Sequence, residues 1–339
     1  MSIFERAMPV TMNSGSPMKT LPHALCCAAL LACGAAFTNG ALACSSCGCT
    51  LSSDWSSQGI SPSGEGLRVD LRFDYFNQDQ LRTGTHSVDR NSLPIPNDQE
   101  VQQTTINRNY ALGLDYSPNV NWGVNLQLPY FNRYHTTIAP GDTEISTSHT
   151  QSIGDVRLVG RYLGFVADHS VGVQFGLKLA TGSFKNNFIA GPQEGEPLDR
   201  GLQPGTGTTD LLVGAFTFGA ISRAWDYFAQ GMLQQPLNSR DGFRPGTGFN
   251  LNAGFRYMGI ERVTPSIQVN VRAEGRESGA NADIDNSGAT LAYLSPGVNL
   301  QITDRLHGYA FAQLPFYQRV NGLQLEPRYT ATVGLYYTM

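Results

Sequence analysis

Cys44, Cys47 and Cys49 fall within six positions, in the stretch ALACSSCGCT at 41–50. Thiolates at Cys-x-x-Cys-x-Cys spacing can converge from a flexible loop on a soft ion, so copper(I) or zinc is the cofactor this segment would take. A fourth ligand is missing locally. An odd number of thiols leaves one over if they simply pair. The single glycine between Cys47 and Cys49 also strains disulfide geometry. Ala-Leu-Ala before Cys44 resembles a lipobox, as does LLAC at 30–33. Metal or redox-active thiols, lipidation of Cys44 and a disulfide stand as alternatives.

Other candidate chemistry is thinner. QPGTGTTD at 203–210 is rich in glycine and threonine but precedes a strand pattern and lacks the lysine of a phosphate loop. DIDNSG at 283–288 opens like a calcium loop, yet Leu294 occupies the position of the closing glutamate. His169 and Ser170 are adjacent, so a strand would turn their side chains to opposite faces. None of His86, His135, His149, His169 and His307 is placed beside an outward serine as a hydrolase would need. No enzyme is expected.

A larger set of charged residues depends on what positions it. Arg68, Asp70, Arg72 and Asp74 alternate with Leu67, Val69, Leu71, Phe73 and Tyr75. Period two is the signature of a strand with two unlike faces. Twelve such segments follow one another: about 67–76, 105–117, 122–135, 152–164, 170–182, 209–221, 225–235, 248–259, 264–275, 289–303, 306–320 and 327–339. Every second joint is tight, for example Ser222-Arg223-Ala224 and Thr303-Asp304-Arg305, while the others run longer: 78–104, 136–150, 184–208, 236–247 and 276–288. Strands near 10–13 residues, even in number and sorted this way, describe a transmembrane antiparallel up-and-down β-barrel with short periplasmic turns and longer extracellular loops. The apolar face then meets lipid. The polar face lines the interior, which places Arg68, Asp70, Arg72, Asp74, Asp155, Arg157, Arg161, Lys178, Arg256, Arg272 and Glu274 as candidate pore-lining residues. They would select a solute or, alternatively, fill a narrow barrel.

Near copies QLPYFNR at 127–133 and QLPFYQR at 313–319, with the looser LQQPLNSR at 233–240, point to repeated hairpins. Proline removes a ladder donor, so each is expected to mark where a strand leaves the sheet. Composition agrees with a barrel: 15% of the 339 residues are charged, Gly reaches 37 and the formal net charge is −4, which offers no basic surface for nucleic acid.

The N-terminus has the order of a secretory signal, with Lys19, an apolar stretch from Leu21 to Ala36 and small residues up to Ala43. The expected organisation is a signal peptide at 1–43, with Met18 a second candidate start, a Cys-containing periplasmic segment at 44–66 and the barrel at 67–339.

SIGDVRLVGRY at 152–162 and PGTGTTDLLVGA at 204–215, with the strand–loop rhythm around them, resemble the outer-membrane transporter family associated with the MetA pathway of phenol degradation. The resemblance spans roughly 67–339. It implies a channel-like barrel in the outer membrane of a Gram-negative cell and assigns no site residues. The expected function is passage of a small solute through a barrel set in outer-membrane lipid, with the periplasmic Cys segment as a site for a soft metal ion; the rival is a non-conducting barrel that anchors that segment, free or lipidated at Cys44, for metal or redox handling, and either reading leaves room for a periplasmic partner.

Overall fold

In the computed structural model, residues 65–339 are described. The expected signal peptide at 1–43, and Cys44, Cys47 and Cys49 of the expected Cys-containing segment, lie outside the described residues.

Thirteen strands follow in order: β1 (Gly66–Gly84), β2 (His86–Ser87), β3 (Val101–Ser117), β4 (Trp122–Ile138), β5 (Ile145–Ile153), β6 (Val156–Tyr162), β7 (Val171–Leu179), β8 (Asp210–Ala220), β9 (Trp225–Pro236), β10 (Gly248–Tyr257), β11 (Val263–Glu274), β12 (Ala289–Gln301) and β13 (Leu306–Thr338). Eleven close a barrel. Each pairs antiparallel with its neighbour, and β13 returns to pair with β1 from Arg68↔Thr338 to Gly84↔Val320. The small strand β2 pairs only with β1, and β5 adds to the upper part of β4.

Alternation produces this closure. On β1 the residues Arg68, Asp70, Arg72 and Asp74 are buried, while Leu71 between them is exposed. The same inversion of a soluble protein's pattern recurs on β10, where Asn250 and Asn252 are buried and Phe249, Leu251 and Phe255 are exposed. Trp122 packs on Tyr162 at 4.6 Å and Trp225 on Tyr257 at 5.1 Å, forming an aromatic belt at the short-turn end. Tyr130, Phe249, Phe316 and Tyr329 are exposed further along the wall. An apolar outer band between aromatic girdles surrounding a polar interior is the arrangement a bilayer requires of a barrel.

β13 is a hairpin rather than one straight stave. Its first arm pairs with β12 and its second with β1. Gly322, at φ +53°, turns the chain between them, and Gln318 Nε2 donates across the two arms to Pro327 O at 3.0 Å. Counting both arms, the wall has twelve passes, as the sequence pattern indicates.

Three details depart from expectation. β1, β3, β4 and β5 run beyond the expected strand limits, so the first two long joints shrink to 85–100 and 139–144. The expected fourth strand is instead split at Gly154-Asp155 into β5 and β6, both partnered by β4. The prolines also differ: Pro236 ends β9, but Pro129 and Pro315 lie inside strands. Pro129 faces the β5–β6 break, where its carbonyl accepts from Gly154 N at 2.9 Å. Pro315 sits at the register shift between β12 and β13. A break or bulge absorbs the missing donor without ending the strand.

Candidate functional site

The inward faces of these strands carry the charged residues, and those residues meet one another. Arg72 Nε donates to Asp74 Oδ2 at 2.9 Å on β1. Asp70 accepts from the Tyr309 hydroxyl at 3.0 Å, and the Arg68 guanidinium lies over the Tyr336 ring at 5.1 Å. Arg161 forks onto Asp115 and reaches Ser117 Oγ at 2.5 Å. Arg157 donates to Gln234 Oε1 at 2.5 Å. Arg256 forms a two-bond pair with Asp226 at 2.9 and 2.8 Å. Arg272 Nε donates to Glu274 Oε2 at 2.8 Å, and its Nη1 to Asn250 at 3.1 Å.

The densest knot joins the stretches at 152–162 and 204–215 through β7. Lys178 on β7 stands between Asp155 at 2.9 Å and Asp210 at 3.2 Å, with all three side chains buried. Asp155 also accepts from Thr206 N at 2.9 Å and Gly182 N at 3.0 Å. A lone buried lysine between two carboxylates satisfies charge that neither could bear unpaired.

That knot anchors the segment 180–209, which folds inward. Leu198, Leu202, Gln203 and Thr208 are buried. Arg133, on the inward face of β4, donates to Leu202 O at 2.7 Å and to Asn107 Oδ1 at 2.7 Å. Arg200 then reaches the ring of Phe243, in the β9–β10 loop, at 4.8 Å. A segment held by β4 on one side and by the β9–β10 loop on the other crosses the barrel mouth. Gly182 and Gly205 make its fold close: a Cβ on Gly205 would fall 2.5 Å from the Gly182 carbonyl carbon.

A barrel closed on all sides, apolar outside and polar within, with tight turns at one end and long loops at the other, has one home. The chain is an outer-membrane β-barrel. Its tight turns are periplasmic and the inward-folded segment lies at the extracellular mouth.

No protein-family model matches the sequence, and no curated protein matches it. Solved structures do. An outer membrane channel from Pseudomonas putida F1 superposes over 82% of this chain and 97% of its own, with a TM-score of 0.62 and 11% identity. The translocator domain of the autotransporter NalP from Neisseria meningitidis covers 84% of this chain and 92% of its own at TM-score 0.47 and 12% identity. The CymD monoaromatic hydrocarbon channel covers 90% and 99% at TM-score 0.44 and 8% identity. At such identity the first likeness is one of fold.

All eleven charged candidates on the barrel therefore face inward and engage partners. Sequence reading missed Asp115, Asp210, Asp226, Arg133 and Tyr309. Asp115 could have been found: it alternates with the outward Leu114 and Tyr116. Its pairing with Arg161 could not, because β4 stands between their strands. No three His, Cys, Asp or Glu side chains among the described residues are arranged to hold a metal ion.

Proposed function

We propose that the protein is a non-enzymatic outer-membrane channel for a small solute, with the inward-folded segment 180–209 as its constriction. One observation carries this reading: a continuous polar and charged lining runs from Arg68 and Arg161 near the periplasmic turns to the Lys178 knot beneath the mouth. Such a lining offers hydrogen-bonding partners to water and to a polar solute along the path. The resemblance to the MetA-pathway-associated transporters agrees with passage and leaves the solute open.

Conductance in planar bilayers tests it. The wild type is expected to pass discrete small currents. Asp155→Asn weakens the grip of Lys178, Gly182 and Thr206, and is expected to raise the current or its flicker about two- to tenfold, as local opening by about 1 kcal/mol would. A folded wild type and a folded variant that are both silent would sink the channel reading.

A second reading draws on the same pairing. A lumen whose charges are so fully matched also suits a non-conducting barrel that anchors the Cys44–Cys49 segment, with copper(I) or zinc held by Cys44, Cys47 and Cys49. Metal analysis of the purified full chain, with a Cys47→Ser/Cys49→Ser variant beside it, separates this from passage.

A further inference from the structure

The outer wall carries a second aromatic boundary opposite the tryptophan belt. Phe73, Tyr110 and Tyr130 face outward side by side on β1, β3 and β4, with successive ring centroids 5.0 and 6.3 Å apart. Tyr329 continues the row on the second arm of β13, and Phe316 and Tyr317 continue it on the first. On β4 the run from Trp122 to Tyr130 covers about 26 Å of strand, or about 20 Å of depth once tilted. The two aromatic rows therefore bracket a lipid-facing band close to the usual height of about 25 Å. The upper row marks the level of the outer-leaflet headgroups.

Just above this row stand three arginines. Arg108 lies on the extracellular side of Tyr110 on β3, Arg328 lies above Tyr329, and Arg319 lies above Tyr317. Gln318 Nε2 reaches Pro327 O at 3.0 Å, so Arg319 and Arg328 flank one contact between the two arms of β13. Both are exposed, and Arg108 is half-buried. The guanidiniums of Arg108 and Arg319 meet no ion-pair or hydrogen-bond partner among the described residues. Arg328 Nε pairs with Asp79 at 3.2 Å, but Arg90 Nη2 also donates to the Asp79 carbonyl at 2.6 Å, so that one carboxylate faces two cations. This positive row is not background. Acidic residues outnumber Lys and Arg in the chain, 27 to 23. Elsewhere on the wall, above the outward Leu233, Phe249 and Ala273 of β9–β11, the chain continues as the uncharged Gln235, Thr247 and Gly275.

We propose that this face of the barrel binds a phosphorylated lipid of the outer leaflet, with Arg108, Arg319 and Arg328 holding the phosphates of a lipid A headgroup. Guanidinium forks match phosphate oxygens two bonds at a time. Basic side chains beside a membrane surface draw in anionic headgroups. Arg108 is in register with Asn132, whose Oδ1 lies 2.8–2.9 Å class contact from His149 Nε2, at 2.9 Å. These neutral polar groups extend the row toward β5 and suit the hydroxyls of the headgroup sugars. The acyl chains then lie along the apolar band below, over Leu71 and Tyr110. The inference concerns the outside of the wall and stands apart from conduction through its interior.

The test is native mass spectrometry of the full chain released from detergent micelles, with bisphosphorylated lipid A as probe. Saturable binding is expected, weakened about fivefold by Arg108→Gln, Arg319→Gln or Arg328→Gln alone and about a hundredfold by all three together. Arg223→Gln, in the periplasmic β8–β9 turn, is expected to leave it unchanged. Heat-modifiable gel mobility confirms that each variant is folded. On the wild type, dephosphorylated lipid A is expected to bind far more weakly, and free inorganic phosphate is expected not to displace the lipid. Absence of lipid A binding, equal binding of the dephosphorylated lipid, displacement by free phosphate, or wild-type affinity in the folded triple variant would overturn the proposal. Lipid A binding by a barrel silent in bilayers would uphold it while removing the channel reading.

Discussion

Glu277 shows how a single side chain can set a pH window. It lies in the β11–β12 loop, nearly fully buried, and its carboxyl is pushed up to about 8, first by burial and then by the charges of Glu274 and Asp283, against the opposing pull of Arg200. A carboxyl raised on folding binds its proton more tightly in the native state. Its stability contribution is complete below the unfolded value of about 4.5 and is lost as pH rises through about 8. Glu277→Gln is therefore expected to stabilise the protein at pH 9 by roughly 2–4 kcal/mol relative to wild type, with the gap closing toward pH 4. Urea unfolding in lipid vesicles at the two pH values measures it. A gap that is constant across this range would contradict the assignment.

At the scale of elements, the segment 180–209 depends on the contact between Gly182 and Gly205. Both are buried against each other's backbone with no room for a methyl group. Gly205→Val is expected to drive the segment outward at a cost of about 1–3 kcal/mol. Trypsin should then cut at Lys185 or Arg200 roughly five- to a hundredfold faster, because cleavage follows the open fraction. Unchanged cleavage would mean that the segment is held by other contacts.

This element also marks the limit of what the sequence discloses. Strand faces were legible because alternation is local: Leu67 to Tyr75 states which side meets lipid. The Gly-Thr-Gly turn at 205–207 was visible as a motif, but its bond to Asp155 was not. That contact links residues 51 positions apart in sequence, and no local pattern encodes it. The cavity lined by Asp98, Glu100, Asp199, Asp283 and Asp285 was hidden for the same reason, since its carboxylates come from separate loops. DIDNSG drew notice as a calcium-like run, but only the fold places Asp283 near Glu100 and Asp199.

For the whole molecule, the lipid-facing band sets stability. Leu71 is 60% exposed and pairs in register with Leu112 and Leu335 on the neighbouring staves. Leu71→Arg is expected to cost about 2–4 kcal/mol, as a cation near the middle of a lipid-facing barrel wall does. Arginine at the exposed turn residue Val120 should cost about 0–1 kcal/mol. Equal costs at both positions, read by unfolding in vesicles, would place the bilayer elsewhere on the wall.

The seam between β1 and β13 carries a consequence for assembly. It joins Arg68 to Thr338, and Met339 N still donates to Leu67 O at 2.8 Å. Every other wall contact links near neighbours in the chain, whereas this one awaits nearly all of it. Until it forms, two strand edges keep unpaired amides and carbonyls that hydrocarbon cannot solvate. The half-made sheet therefore has no stable residence in the bilayer, and insertion and closure must proceed as one event.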